Sequence, residues 1–352
     1  MTWNEYIYMA ALDTGTDWKA AAPRIATQAL HTLRYLYFIS TKQGHSTFSQ
    51  YNFVYLTAID VLAAYQRQAE EFLQCIKPSE LGRIPDHPLH RSLDLYFLNT
   101  SEHFTLVLPS QVTEELLVAG AAPYLAVGGN NNLLPIFEAA HSVMLATFAA
   151  AHNAGLTARH LPVYVETLFN VFPSNLSARQ FRLAFKTLVR LTAAPSPLST
   201  DQPMLPATLL DLLDERIRHA SFIPLFPQPS SAVPDMSPEA PIELSEQTVL
   251  TLTIVDTLPL LPVNLLEEWL PLAADMINAI NDDAMREHCK DQFWQMLDHG
   301  EMDPDRSQVC HAWWSTGGGR ELLLFGRHPA ESEQVAVMSG ALPGENAASS
   351  KL

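Results

Sequence analysis

The sequence is short of cysteine and of basic side chains. Its 352 residues include only three cysteines, Cys75, Cys289 and Cys310, which are too few and too scattered for the disulfide framework of a small secreted protein. The 21 lysines and arginines are outnumbered by 38 aspartates and glutamates, so the formal net charge is −17. Because a surface of this charge repels phosphate groups, we expect no nucleic-acid partner.

The sequence also lacks a secretory signal and a long apolar run. The first residues include Glu5 and Asp13, and no basic stretch precedes an apolar core, as it would in a secretory signal. The most apolar stretch, residues 248–263, is interrupted by Asp256 and two prolines and falls short of the ~18 apolar residues that a membrane span needs. With 47% hydrophobic residues, we expect a folded globular protein that is soluble or peripherally bound.

Motifs of known catalytic sites are absent as well. The sequence contains no G-x-S-x-G elbow, no G-x-x-x-x-G-K-[ST] loop, no H-E-x-x-H and no G-x-G-x-x-G after a strand, each of which marks a specific chemistry. The one glycine-rich loop, STGGGRE at Ser315–Glu321, has backbone N–H groups that could cradle an anion. Since no Lys-Ser/Thr pair follows it, a hinge or a helix cap is the favoured interpretation. We predict no catalytic residue and no cofactor.

Five histidines and cysteines near the end of the chain suggest a metal site at first sight. Imidazole and thiolate together suit zinc, and the candidates are His288, Cys289, His299, Cys310 and His311. Their separations fit no compact zinc finger, and each adjacent pair would have to turn neighbouring side chains onto one ion. Packing and surface roles are therefore favoured, and we predict no metal.

Apolar residues at helical spacing dominate the sequence from residue 23 to residue 194. The pattern predicts helices over Pro23–Phe38, Tyr51–Ile76 and residues 130–155, with Gly155 as the residue that ends the third. A further amphipathic helix is predicted over Ala207–His219. In residues 249–255, VLTLTIV has strong strand propensity, but a short apolar run does not distinguish a strand from a buried helix.

The clearest local signal is the stretch NLSARQFRLAFKTLVRL. Ser177 and Gln180 have the spacing of a capping box, and Leu176 and Phe181 have that of a hydrophobic staple. Phe181 and Leu188 belong to an apolar stripe at helical spacing. The pattern predicts a helix that begins directly after Ser177.

The fold expected from these elements is all-α, either α-solenoid-like or an irregular helical stack. No strict 34- or 40-residue period supports a named repeat class. Six prolines between Pro224 and Pro241 predict an extended linker. The domains predicted are a helical domain at 1–220, a Pro-rich linker at 221–244, a helical region at 245–329 and a flexible tail at 330–352.

The predicted helix after Ser177 also carries a basic stripe. Its members, spaced three or four residues apart opposite Phe181 and Leu188, are Arg179, Arg182, Lys186 and Arg190. In a chain short of cations they could dock an acidic partner helix or anionic lipid. An ordinary solvated face paired with nearby carboxylates is the favoured alternative.

The last three residues, Ser350, Lys351 and Leu352, match the C-terminal signal for peroxisomal import. A receptor for this signal recognises the free carboxylate by hydrogen bonds, the leucine side chain in an apolar pocket and the lysine by polar or acidic contacts. The preceding AASS adds no bulk that would block entry. A frayed end without function is the alternative. We predict a peroxisomal protein whose tail binds the import receptor.

Four extended segments, together with this tail, resemble the peroxin-8 family of filamentous fungi from about Pro23 to Leu352. The segments are NTSEHFTLVLPSQVTEELLVAGAAPYL, LLPIFEAAHSVMLATFAA, LPVYVETLFNVFPSNLSARQFRLAFKTLVRL and DQFWQMLDHGEMDPDRSQVCHAWWSTGGGRELLLFG. The resemblance rests on these extended segments and not on a catalytic motif.

The resemblance implies a peroxisome biogenesis factor on the lumenal side of the membrane, peripheral and not spanning. Its implied partners are the import receptor, from which it helps to release cargo, and the docking and RING ubiquitin-ligase complexes, which it connects. The signal Ser350-Lys351-Leu352 is the one functional motif that carries over to this sequence. Some family members use an N-terminal signal; Met1–Asp17 contains none, and we expect an N-terminal portion to be missing.

A peroxisomal matrix enzyme of unrecognised helical fold is the second hypothesis. Its site would include the Ser315–Glu321 loop or the cysteine and histidine cluster.

Overall fold

The computed structural model describes residues 16–43, 48–127, 133–225, 243–298 and 302–328. Within these ranges the chain is helical and forms no β-strand, and the β-type contact there is an isolated antiparallel bridge between Pro224 and Ser245. The all-α prediction is therefore confirmed. The chain divides into two compact units, Met1–Phe181 and Arg182–Leu352.

The first unit is built from long helices and short turns. They are α1 (Thr16–Gln43), α2 (Ser49–Ala63), α3 (Gln66–Ile76), α4 (Pro88–Ser101), α5 (Ser110–Val112), α6 (Ala119–Val127), α7 (Leu134–Ala149) and α8 (Ala154–Val171), followed by the start of α9 (Ala178–Thr192). A π-helical segment, Thr113–Val118, joins α5 to α6 without a break, and 3₁₀ turns occur at Glu102–Phe104 and Ala151–Asn153.

Three predicted helix boundaries in this unit are wrong. Helix α1 begins at Thr16 and contains Pro23, because the alanine-rich sequence ahead of the proline has high helix propensity. The predicted helix over Tyr51–Ile76 is broken at Tyr65, whose φ of −128° and ψ of 81° are not helical, and the break lets α3 bury Phe72. Gly155 lies inside α8, since a 3₁₀ turn follows α7.

Tyrosine hydroxyls tie the helices of the first unit together. Helices α1 and α2 pack on each other, and α1 also packs on α4. The Tyr96 hydroxyl of α4 donates a 2.8 Å hydrogen bond to the Leu30 carbonyl of α1, and the Tyr124 hydroxyl of α6 donates a 2.7 Å bond to Asp94 Oδ2 of α4. Because these groups are buried, each bond fixes the position of one helix on another.

The second unit continues α9 and contains seven more described α-helices. They are α10 (Pro197–Asp201), α11 (Leu205–Arg218), α12 (Glu246–Thr257), α13 (Val263–Asn278), α14 (Asp283–Asp298), α15 (Pro304–Ser315) and α16 (Gly319–Phe325). Helix α11 confirms the amphipathic helix predicted over Ala207–His219. A 3₁₀ turn, Leu258–Leu260, joins α12 to the segment before α13.

Helix α12 is the centre of the second unit and resolves the ambiguity at residues 249–255. It packs on α11, α13 and α14, and every residue of the helix except Asp256 is buried. The Ser245 hydroxyl caps its start by accepting a 3.2 Å hydrogen bond from the Thr248 amide. A helix surrounded on all sides carries apolar residues without the one-sided pattern of a surface helix, which explains why residues 249–255 resemble a buried strand.

Among the described residues no single helix is long and apolar enough to cross a membrane. Leu134–Ala149 and Ala151–Val171 reach the required length and composition only as a pair, and the pair is bent by 91°.

Candidate functional site

The predicted import signal lies outside the described residues. Ser350, Lys351 and Leu352 belong to the unassigned stretch 329–352, which contains the predicted tail at 330–352. Most of the predicted linker at 221–244 also lies outside them, namely residues 226–242. The roles assigned to these segments therefore stay predictions.

The capping box that positions the basic stripe is present. The Ser177 hydroxyl accepts a 3.3 Å hydrogen bond from the Gln180 amide, and the Gln180 side-chain oxygen accepts a 3.0 Å bond from the Ser177 amide. Helix α9 begins at Ala178 as predicted, and Phe181 and Leu188 on its inner face are buried. The helix start and the orientation of its faces are thus set by local sequence.

The four cations of the stripe have different surroundings. Arg182 forms a two-pronged ion pair with Asp256, with distances of 2.7 Å from Nε to Oδ2 and 2.9 Å from Nη2 to Oδ1. Arg179 and Arg190 are exposed and Lys186 is half-buried, and within the described part of the chain no carboxylate pairs with these three. Arg182 therefore has a structural partner, while partner binding by the other three stays a prediction.

The glycine-rich loop connects α15 to α16 and is shaped by Trp313. Gly318 has a φ of +77° at the N-cap position of α16, a conformation that favours glycine. A Cβ atom at Gly319 would lie 2.5–2.7 Å from ring atoms of Trp313, and one at Gly317 would lie 3.0 Å from the Trp313 backbone. The three glycines are explained by this turn and close packing, which agrees with the helix-cap interpretation.

The cysteines and histidines of the second unit occupy different environments. Burial raises the pKa of the Cys289 thiol to about 12 and that of Cys310 to about 11. The pKa of His288 is lowered, first by burial and then by the nearby charge of Arg182. His311 is exposed, and His299 lies outside the described residues. In the described ranges no three His, Cys, Asp or Glu side chains are grouped as metal ligands.

An exposed apolar face on α1 and α2 was missed by the sequence analysis. Its members, each at least 39% exposed, are Tyr35, Leu36, Phe38, Ile39, Phe53 and Leu56. We name it the α1–α2 face. Residues 35–39 are five consecutive large apolar or aromatic side chains, more than one buried stripe can hold, and of these Tyr37 alone is buried. Clustered exposed apolar side chains are typical of protein contact surfaces.

Two grooves lie on the surface of the second unit. One, of ≈ 380 Å³, is lined by Trp294, Trp314 and Arg320 from α14, α15 and the start of α16. The other, of ≈ 550 Å³, runs between α13 and α15. Its apolar lining residues are Val263, Val309, Ala312 and Trp313, and its charged lining residues are Glu267 and Asp305. We name this second one the acidic groove.

Comparison with known proteins connects these features to a family. Residues 69–149 match a family model described as the PEX8 central TPR-like domain, and residues 157–317 match one described as the PEX8 C-terminal domain. The chain belongs to the PEX8 family. The expected resemblance is thereby confirmed.

Curated relatives of this PEX8-family chain come from yeasts. It is 27% identical over 317 residues to the Peroxisomal membrane protein PEX17 of Yarrowia lipolytica, covering 83% of this chain and 46% of that protein. It is 24% identical to Peroxisomal biogenesis factor 8 of Komagataella phaffii, covering 86% and 48%, and 23% identical to that of Pichia angusta, covering 83% and 45%. The chain spans about half the length of these relatives. No solved structure matches it.

The TPR-like description corrects one expectation from the sequence. No repeat class was supported because a strict period is absent, yet the family model covering 69–149 is described as TPR-like. The main helices in this range differ in length, with 14 residues in α4, 9 in α6 and 16 in α7. Helices of unequal length pack side by side without giving the sequence a fixed period.

Proposed function

We propose that this PEX8-family chain is a lumenal, peripherally membrane-associated scaffold of the peroxisomal matrix protein import machinery. In this role it connects the receptor-docking complex with the RING ubiquitin-ligase complex and helps to release cargo from the import receptor. The observation that carries the proposal is the pair of PEX8 family matches, which together extend over most of residues 69–317. The proposed role requires contact surfaces and no catalytic step.

Three surfaces supply contacts of different chemistry for such a scaffold. The α1–α2 face offers clustered apolar side chains, which favour a partner with an apolar surface of its own. The acidic groove combines apolar and acidic side chains. In the basic stripe, Arg179, Lys186 and Arg190 are the side chains proposed to bind acidic partner segments or anionic lipid.

Delivery to the peroxisome is assigned to the C-terminal tail. A receptor binds a free Leu352 carboxylate together with the side chains of Lys351 and Leu352. The proposed sequence of events is that the import receptor carries the chain into the lumen, where the chain then serves the same pathway.

Affinity purification tests the scaffold role. The full chain, tagged internally so that its C-terminus stays free, is isolated from detergent-solubilised peroxisomal membranes. We expect recovery of both docking-complex and RING-complex subunits. Recovery of neither complex, with turnover of a small-molecule substrate by the purified chain, would replace the scaffold by the matrix-enzyme hypothesis.

Deletion of Leu352 tests the delivery step separately. The truncated chain should stay in the cytosol, because the receptor loses both the apolar side chain and the correctly placed carboxylate. A matched control, Pro343→Ala, changes the same tail away from the signal and should leave import unchanged. Peroxisomal location of the Leu352-deleted chain would show that another signal or a bound companion carries it.

A further inference from the structure

The acidic groove extends along α15 far enough for a short helix to lie against it. Its α15 side includes Asp305, Val309, Ala312 and Trp313, which follow one another at intervals of one to four residues and reach Thr316 at the C-terminal end. At a rise of ~1.5 Å per residue this wall is about 16 Å long, or roughly three helical turns. Val263 and Glu267, one turn apart on α13, form the facing wall. A trough between two helices with apolar side chains along its floor is the geometry in which amphipathic helices dock.

The charge of the groove is negative. Glu267 and Asp305 are both exposed, and neither has an ion-pair partner among the described residues. None of the residues that line the groove is a lysine or an arginine. Arg306, the neighbour of Asp305, is engaged elsewhere: its Nε donates a 2.6 Å hydrogen bond to the Leu261 carbonyl, and its Nη1 contacts Asp303.

The segments of this chain outside the described residues are poorly matched to such a groove. Residues 1–15, 226–242 and 329–352 carry more acidic than basic side chains. The single lysine or arginine in all undescribed segments is Lys351. A second copy of the chain, with its formal net charge of −17, is disfavoured by the same repulsion.

We propose that the acidic groove binds a basic amphipathic helix of a partner protein, with its apolar side chains on Val309, Ala312 and Trp313 and its flanking lysines or arginines beside Glu267 and Asp305. Val309, Ala312 and Trp313 have the spacing i, i+3 and i+4 along α15, and a docking helix presents apolar anchors of the same period, at i, i+3, i+4 and i+7. The rim carboxylates select the sign of charge and speed association, while the apolar floor holds the helix. This inference rests on the groove alone and does not depend on the proposed scaffold role.

A synthetic helix tests the proposal. The probe is a fluorescein-labelled peptide of about 15 residues, or ~four turns, with leucine at i, i+4 and i+7, flanking lysines and alanine elsewhere. Fluorescence anisotropy with the full chain should show saturable binding that weakens as salt is raised. The same peptide with glutamate in place of lysine should not bind. Absence of binding by the lysine peptide overturns the proposal.

Variants assign the binding to the groove. Glu267→Gln and Asp305→Asn should each weaken binding about two- to fivefold. Ala312→Arg, which adds bulk and positive charge to the floor, should weaken it roughly tenfold or more. The matched control is Glu268→Gln, which removes an exposed carboxylate next to Glu267 but outside the groove and should leave the affinity unchanged. Circular dichroism melts verify that each variant is folded.

Other occupants give different results. Equal affinity of the Ala312→Arg variant and the unmodified chain would place the peptide elsewhere and overturn the proposal. Tighter peptide binding after truncation behind His328 would show that the tail occupies the groove. Concentration-dependent dimers in sedimentation that disappear with Ala312→Arg would show that a second copy does. Either of the last two results would overturn the assignment to a partner protein.

Discussion

The two units fix their helices by different means. All ten tyrosines of the sequence precede Arg182, and in the first unit several of their hydroxyls hydrogen-bond across helices, as Tyr96 does to Leu30. The second unit has no tyrosine, and its central helix α12 is buried at every position except Asp256. A buried hydrogen bond is weakened when one of its groups changes protonation or loses its polar atom. A closely packed site is destabilised when a substitution adds volume. The units should therefore differ in what destabilises them.

Protonation of His141 at acid pH should cause the greatest loss of stability, and it acts on the first unit. Burial lowers the pKa of this histidine to about 4, and its Nδ1 lies 2.8 Å from the Tyr164 hydroxyl. Because the folded pKa is below the ordinary value of 6.5, the unfolded state binds the proton more readily. The stability that neutral His141 gives the folded state is fully present above pH 6.5. It is lost as the pH falls towards about 4, by roughly 1.4 kcal/mol of unfolding free energy per pH unit.

The variant His141→Gln removes this titration while keeping a polar partner for Tyr164. Between pH 7 and pH 4.5 in urea titrations, the unmodified chain should lose on the order of 2–3 kcal/mol more unfolding free energy than the variant. Hydrogen exchange should show the added opening in α7 and α8. Identical pH dependence of the two proteins would contradict the assignment.

Adding a methyl group at Gly319 should destabilise the second unit. Gly319→Ala places a Cβ within 2.5–2.7 Å of the Trp313 ring, so the ring must move, and we expect a loss of about 1–3 kcal/mol. The matched control in the first unit is Gly155→Ala, where a Cβ meets no atom within 4 Å inside helix α8; it should stabilise by about 0.5–1 kcal/mol. Urea unfolding monitored by circular dichroism measures both. Equal effects of the two substitutions would show that the Trp313 ring does not pack tightly against Gly319.

Removal of the Tyr96 hydroxyl should lower the unfolding free energy of the first unit. The variant Tyr96→Phe deletes the 2.8 Å hydrogen bond to the Leu30 carbonyl while keeping the ring, at a cost of about 1 kcal/mol. Tyr35→Phe is the control, since Tyr35 is 68% exposed, and it should change stability by no more than ~0.5 kcal/mol. If both variants unfold at the same urea concentration, tyrosine hydroxyls do not hold the first unit together.

The smallest expected effect concerns the basic stripe. Arg182→Lys replaces the two-pronged contact with Asp256 by a single point charge, and should cost about 0.5–1 kcal/mol because the pair is only partly exposed. Arg190→Lys, at an exposed position of the same helix, should have almost no effect. Thermal melts at low and high salt compare the stability of the two variants. A larger loss of stability for Arg190→Lys than for Arg182→Lys would contradict the assignment of the structural ion pair to Arg182.

Sequence patterns predicted the features that depend on neighbouring residues. The capping box at Ser177 and Gln180 identified the start of α9 to the residue, because a helix cap is formed by groups three residues apart. The predicted amphipathic helix α11 was likewise found. The glycine run at 317–319 correctly indicated a helix cap.

Features that depend on distant contacts could not be predicted in this way. No glycine or proline marks the break at Tyr65, and it is explained by the burial of Phe72 and Leu73 on α3. The helical state of α12 is determined by the three helices around it. The acidic groove joins residues more than 35 positions apart, such as Glu267 and Asp305, so no local motif reveals it.

Cross-linking mass spectrometry in intact peroxisomes tests the proposed role of this PEX8-family chain as a lumenal scaffold. We expect cross-links from the described helices to subunits of both the docking complex and the RING complex. Cross-links to matrix enzymes alone, at comparable yield and with neither complex represented, would contradict it.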